Sequence, residues 1–222
     1  MKIVTGPISL FAAKVEIAAK EKAVPYERVE VQFTLATRYE PRHPDVARIN
    51  PKRQVPVLID GDLEIFDSTQ IMEYLEHLIP EPPLWPREAK ARARARLLEH
   101  KSDEVFAPHV IKILPGNAKD DDEVNVAKDG IAAYQREMDA LLGGREYLAD
   151  TFSHADIALF MAQYFASMMR VDVPRELENL WAWQARVGAR PSVAQVTGGI
   201  AAFLTSNNLP APRIATLAQA AE

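Results

Sequence analysis

The sequence predicts an α/β domain followed by an all-α domain. Three observations support this. Segments with the two-residue alternation of strands occur only between residues 2 and 66. A stiff break follows at Ile79-Pro80-Glu81-Pro82-Pro83-Leu84-Trp85-Pro86, four prolines in eight residues, where no helix continues. Beyond it the apolar residues recur almost wholly at helical spacing.

Lys2 to Thr5 is a short apolar strand, broken by Gly6-Pro7. Ser9 caps a helix from Leu10 to Lys22 that carries Phe11, Val15, Ala18 and Ala19 on one face. Tyr26 to Phe33 reads as a second strand, with Val29, Val31 and Phe33 alternating with Glu30 and Gln32. Residues 34–50 are polar and interrupted by Pro41 and Pro44, so at most a short helix is expected there. Val57-Leu58-Ile59, Asp60-Gly61 and Leu63 to Phe66 form a hairpin; Asp-Gly suits a type I′ turn, whose central residues both need positive φ. Ser68 then opens a helix to Leu78, with Ile71, Tyr74, Leu75 and Leu78 at i, i+3, i+4 and i+7. The order β-α-β, irregular segment, β-β-α is that of a thioredoxin-like domain, placed at residues 1–78. The second domain, 87–222, contains helices expected at Arg87–Leu114 (kinked at Pro108), Asp122–Leu142, His154–Met169, Arg175–Gly188 and Ser192–Leu204, with a tail from 205.

The chain has 222 residues, enough for a sizeable core. With 26 basic and 31 acidic residues it has a net charge of −5, so no global field draws it to nucleic acid or anionic lipid. It shows neither a signal-peptide pattern nor a run of about 18 apolar residues able to span a bilayer. A cytoplasmic protein is expected. There are no cysteines, which excludes disulfides, thiolate metal sites and a catalytic thiol of the protein's own. The five histidines lack paired ligand spacing, so no metal is expected.

Three places carry chemistry. Pro56 stands before an apolar strand; a cis bond there would turn the Val55 backbone outward to pair with an extended peptide, while a trans proline would merely start the strand. Asp67-Ser68 opens a helix, where free N–H groups and the dipole favour a carboxylate and Asp67 favours an ammonium; the bland alternative is a simple cap. Ser9 heads the first helix, where its hydroxyl either caps or donates to a ligand thiolate and lowers its pKa. Ser153-His154-Ala155-Asp156 has the form of a capping box. The basic run Arg87, Lys90, Arg92, Arg94, Arg96, interrupted by Glu88 and Glu99, reads as a solvated face or interface rim.

In order and spacing these residues resemble the glutathione S-transferase superfamily over nearly the whole chain. The resemblance rests on Lys14-Val15, Glu21-Lys22, Asn50-Pro51, Val55-Pro56-Val57-Leu58, and Asp67-Ser68 with Ile71, Tyr74 and Leu75. Ser153 to Asp156 and Arg190-Pro191-Ser192-Val193 add to it. It implies a homodimeric transferase that activates glutathione, a co-substrate, as a thiolate against a small hydrophobic electrophile, as in detoxification. By position, Ser9 matches the serine of the theta, tau and phi classes. Val55, followed by Pro56, matches the residue that pairs with the cysteinyl backbone, and Asp67 and Ser68 match those holding the γ-glutamyl end. Gln54 approaches the glycyl carboxylate, with Lys52, Arg53 and His43 as further candidates, and Asp103 reaches the γ-glutamyl amine of a neighbouring subunit. The second substrate is expected between the domains, against Phe11, Phe106, His109, Ile113 and the tail after Leu204. The chain departs from the pattern in Leu10, Ala23 and Asp67, where proline, glycine and glutamate are frequent. Thr5 is the fallback hydroxyl for Ser9. The competing expectation is a non-catalytic relative used for protein–protein contact.

Overall fold

The computed structural model describes residues 1–209 and 211–213, so the part of the expected tail at 210 and 214–222 lies outside the described residues. Four strands, β1 (Lys2–Thr5), β2 (Glu27–Glu30), β3 (Val57–Asp60) and β4 (Leu63–Phe66), form one sheet in the order β2-β1-β3-β4. β1 runs parallel to β2 and antiparallel to β3, and β3 pairs antiparallel with β4. The alternation of side chains gives the sheet two buried faces. Ile3 and Leu58 point into the main core, under α1 (Leu10–Glu21) and α3 (Ser68–Leu78). Val4 and Val57 point the other way and join Val31 and Val46 beneath α2 (Pro44–Ile49). This is the thioredoxin-like arrangement.

The helical region contains α4 (Ala89–Lys101), a π-helical turn (Ser102–Phe106) and α5 (Ala107–Lys112). It continues through α6 (Asp121–Leu141), α7 (His154–Met168), α8 (Glu178–Gly188) and α9 (Pro191–Ser206). Every residue of α7 is buried, as expected of a helix at the centre of a bundle. Its capping box is formed, with Ser153 N–H donating to Asp156 Oδ2 at 2.9 Å.

Three expectations are corrected. The long helix expected over 87–114 is not one helix kinked at Pro108. Its ladder widens into the π turn just before that proline, which accommodates the missing N–H. In the hairpin the central residues are Gly61 and Asp62, and only Gly61 has positive φ (63°), the sign pattern of a type II′ turn rather than I′. β2 is confined to Glu27–Glu30, shorter than the alternation through Phe33 suggested. Ala23 does take the left-handed conformation after α1, at φ 51°.

Charges on α1 tie the halves together. Lys22 Nζ bonds the carbonyls of Ile79 and Pro82 and lies 2.7 Å from Glu76 Oε2. Glu21 accepts both Arg190 Nε and Nη2 at 2.8 Å.

Candidate functional site

The ends of β1 and β3 and the N-termini of α1 and α3 meet at one rim of the sheet, which is where the predicted residues fall. Ser9 is the N-cap of α1, half-buried, with its Oγ accepting from Ala12 N–H at 3.3 Å. A hydroxyl that accepts in this way keeps its own proton for another acceptor. Thr5 differs. It is fully buried, and its hydroxyl donates to Glu16 Oε1 at 2.6 Å, so its proton is already used.

The Val55–Pro56 peptide bond is cis, and Val55 is half-buried where the chain enters β3. The loop before it is held by a residue to which the sequence alone assigned no role. Asn50, 5% exposed, donates from Nδ2 to the Gln54 carbonyl at 2.6 Å and accepts from Lys52 N–H at 2.9 Å. Arg53 N–H returns to the Asn50 carbonyl at 2.7 Å, with Arg53 at φ 55°. Lys52, Arg53 and Gln54 therefore stand exposed on a loop latched from below. The signal was present as Asn50-Pro51, since asparagine shapes turns through its carboxamide. His43 caps α2, its Nδ1 accepting from Asp45 N–H at 3.3 Å.

Asp67 is the N-cap of α3 and has φ 77°, ψ 127°, a conformation that costs a non-glycine residue of order 1–3 kcal/mol. Its Oδ1 accepts from Thr69 N–H at 3.1 Å and Gln70 N–H at 3.3 Å, while Oδ2 takes no part in the cap. Ser68 follows, buried at 3% exposure, in the first turn of the helix.

Beneath Asp67 lies a buried ionic cluster. Lys14, completely buried in α1, places Nζ 2.9 Å from Glu99 Oε1 and 2.5 Å from Asp103 Oδ2. Thr69 Oγ1 donates to the same Glu99 oxygen at 2.7 Å. Asp103 Oδ1 is buried without a partner. Burial pushes the Asp103 carboxyl up to about 6; Lys14 opposes this, and Glu99 and Asp67 add to it. Burial disfavours the Lys14 ammonium, yet Asp103 and Glu99 outweigh it and raise its pKa above the ordinary lysine value. Asp103, expected to serve a neighbouring subunit, is thus engaged by Lys14 of its own chain. A lysine at a core-facing helical position was the available signal.

The expected second-substrate wall is not brought together. Phe106 is fully buried and stacks on Tyr134 with ring centroids 4.9 Å apart. The His109 ring lies against Gly130 of α6, so close that a Cβ there would come within 2.5 Å. Ile113 packs on the main core, and Phe11 lies half-buried beside Lys14, whose Nζ is 5.7 Å from its ring centroid. Among the described residues no cluster suits a metal ion, and no helix is long and apolar enough to cross a membrane.

Comparison with known proteins agrees with this architecture. Residues 8–78 match the family described as glutathione S-transferase, N-terminal domain. A stringent starvation protein A homolog of Coxiella burnetii is 28% identical over 86% of this chain and 88% of its own length. Glutathione S-transferase 2 of Saccharomyces cerevisiae is 28% identical over 88% of this chain and 89% of its own. The crystal structure of a glutathione S-transferase domain-containing protein from Marinobacter aquaeolei VT8 superposes with a TM-score of 0.77 at 28% identity, covering 87% of this chain and 100% of that one. Residues 8–78 thus belong to the glutathione S-transferase N-terminal domain family, and the mixed four-stranded sheet followed by a helical bundle is the glutathione S-transferase fold.

Proposed function

We propose that the protein is a glutathione transferase that binds glutathione along the rim formed by Val55, Asp67 and Ser68 and activates its thiol through Ser9. The observation that carries this reading is the hydrogen-bond state of the two candidate hydroxyls: Ser9 accepts from Ala12 N–H and retains a free proton, whereas that of Thr5 is spent on Glu16. A donor at a helix N-terminus stabilises a thiolate twice, by its proton and by the dipole. Val55, half-buried at the entry to β3, would pair with the extended peptide through its backbone, and Asp67 Oδ2, which takes no part in the cap, would meet its ammonium. The electrophile is a small, hydrophobic molecule, and the working form is a cytoplasmic homodimer.

The test is calorimetric titration with glutathione, together with thiolate absorbance of the bound ligand against pH. The bound thiol pKa is expected below its free value of about 8.5. Ser9→Ala is expected to raise it by about 1–2 units, the worth of one hydrogen bond to a charged group, while affinity for glutathione is largely kept. A second reading, a non-catalytic interaction protein, is favoured by the likeness to a stringent starvation protein A homolog. It predicts that Ser9→Ala has no effect on any activity of the protein. Absence of glutathione binding rules out the transferase.

A further inference from the structure

The connection Gly6-Pro7-Ile8 joins β1 to the Ser9 cap of α1 and sets where the Ser9 hydroxyl stands. Backbone bonds hold it at its ends only. Val31 N–H donates to the Thr5 carbonyl at 2.8 Å before it, and Ala13 N–H donates to the Ser9 carbonyl at 3.0 Å after it. Among the described residues no backbone–backbone bond falls on Gly6, Pro7 or Ile8. What fixes their path is a side chain from another segment. Tyr39 rests its phenolic end on Gly6, so closely that a Cβ at position 6 would stand 2.6 Å from Cε1 and from the hydroxyl oxygen. The φ of Gly6 is not left-handed, so the ring and not the backbone requires a glycine here. The Tyr39 hydroxyl is buried and makes no hydrogen bond of good geometry, with the Ile8 backbone beside it. A buried hydroxyl in that state adds no stability, so the contribution of Tyr39 is its ring.

Tyr39 is itself anchored. Its ring meets Phe33 edge-on at 4.8 Å between centroids, and Phe33 meets Phe203 of α9 at 5.8 Å. Thr34 and Arg38 exchange both backbone hydrogen bonds, at 2.9 and 2.7 Å, and close residues 34–38 into a tight loop. Arg38, exposed and at φ 53°, donates from Nη2 to the Pro115 carbonyl at 2.6 Å, in the connection between α5 and α6. Gly116 follows with φ 82°, and a Cβ there would lie 3.5 Å from the same Nη2. The segment 33–39 thus belongs to the sheet-bearing half and takes two of its supports, Phe203 and Pro115, from the helical half.

We propose that Tyr39 is a positioning residue for Ser9: through Gly6 it holds the β1–α1 connection in the path that aims the hydroxyl, and Arg38 fixes it from the helical half. This rests on Ser9 as the hydroxyl that activates glutathione. A hydrogen bond weakens steeply with misalignment. A connection free to shift would therefore weaken the effect of Ser9 on the thiol and leave Val55, Asp67 and Ser68, which stand on other elements, in place.

The experiment uses the full chain and reads it in two ways. The first, amide exchange over residues 6–13 by mass spectrometry, needs no ligand. Tyr39→Ala and Gly6→Ala should each speed it about tenfold. Tyr39→Phe, which keeps the ring, should leave it unchanged, with Tm within about 2 °C of the parent. The second is the thiol pKa of bound glutathione. Tyr39→Ala should raise it by about one unit, a tenfold loss of thiolate at neutral pH, with glutathione affinity kept within about threefold. A merely destabilising change would not separate thiolate from affinity. Gly6→Ala should raise the pKa likewise in the parent and no further in Tyr39→Ala, where the added methyl has room, and Tyr39→Ala should add nothing to Ser9→Ala. Unchanged exchange overturns the proposal, as does faster exchange with an unshifted thiol pKa, or additive effects of Gly6→Ala and Tyr39→Ala. If no glutathione binds, the transferase reading falls, and the exchange readout alone decides whether Tyr39 holds Ser9. Should Tyr39→Ala fail to fold, Arg38→Ala decides: loss of this exposed side chain should speed exchange over 6–13 about threefold, and an unchanged rate overturns the proposal.

Discussion

Replacing Lys14 with methionine should destabilise the protein severely and in a pH-dependent way. Lys14 is 0% exposed, and the two carboxylates it bridges are 4% and 11% exposed. Removing one partner from such a buried arrangement costs about 3–5 kcal/mol, because the remaining charges lose their counterion in a site water does not reach. The remaining groups are acids, which sets the sign. In the variant, Glu99 and Asp103 have folded pKa values above their unfolded values. Such groups cost nothing below the unfolded pKa of about 4 and subtract stability as pH rises through the folded value. Asp103 already titrates near 6 with Lys14 present, and it moves higher without it. The deficit should therefore be largest at about pH 8 and smaller by about 1–2 kcal/mol at about pH 5.5, since each pH unit over which one extra proton is bound is worth about 1.4 kcal/mol. Urea unfolding followed by tryptophan fluorescence at the two pH values reads this as a shift in midpoint at constant slope. Adding Glu99→Gln and Asp103→Asn to the variant should recover at least part of the loss. A deficit below about 1 kcal/mol at pH 8, or one of equal size at both pH values, would refute the account of Lys14 as the counterion of a buried acidic pair.

Asn50→Ala should cost about 2–3 kcal/mol, for two hydrogen bonds to a buried carboxamide, and should speed amide exchange at residues 52–54 more than elsewhere. Hydrogen-exchange mass spectrometry would show it. Asp67→Asn keeps the oxygen that caps α3 and removes the charge, so Tm should hold within about 2 °C while glutathione affinity falls about tenfold by calorimetry. Glu76 belongs to a different cluster: burial alone would raise its pKa, but His154, Lys22 and the N–H groups of Leu84 and Trp85 hold it down to about 2. A depressed acid contributes stability above its unfolded pKa and loses it as pH falls through the folded one, so that contribution should fade between about pH 4.5 and pH 2. Glu76→Gln should lower Tm at neutral pH and flatten the acid limb of the Tm–pH curve.

The local rules carried most of the architecture. Alternation and helical spacing marked every strand and most helices, and Ala23 showed that a chain will take the left-handed conformation without glycine when the next element demands it. What the sequence could not show was contact. Nothing in the local pattern told that Phe106 would stack on Tyr134 or His109 lie against Gly130, because such contacts are set by what the helix packs against. The candidate residues were legible as places in the fold, not as roles. Ser9 and Thr5 are both hydroxyls near the end of β1, and only the partner of each, Ala12 N–H for one and Glu16 for the other, separates them. Long-range pairs such as Lys14 with Glu99 join residues far apart in sequence, and no window of sequence reveals them.

Two buried lysines, Lys14 in α1 and Lys22 at its C-cap, have a consequence for how this chain can be taken apart. Lys14 reaches acids in the second half, and Lys22 grips the connecting segment. The Lys14 ammonium belongs by sequence to the sheet-bearing half and by chemistry to acids beyond it, whereas Lys22 keeps an acid, Glu76, in its own half. A fragment cut after α3 would strand Lys14, and would cost Lys22 two carbonyl acceptors while leaving it Glu76; grafted onto the helices of another relative, Lys14 would have no guarantee of acids to meet it. Exchange of halves between relatives is therefore constrained to partners in which position 14 and positions 99 and 103 travel together, so the sheet-bearing half and its helical half are inherited as one piece.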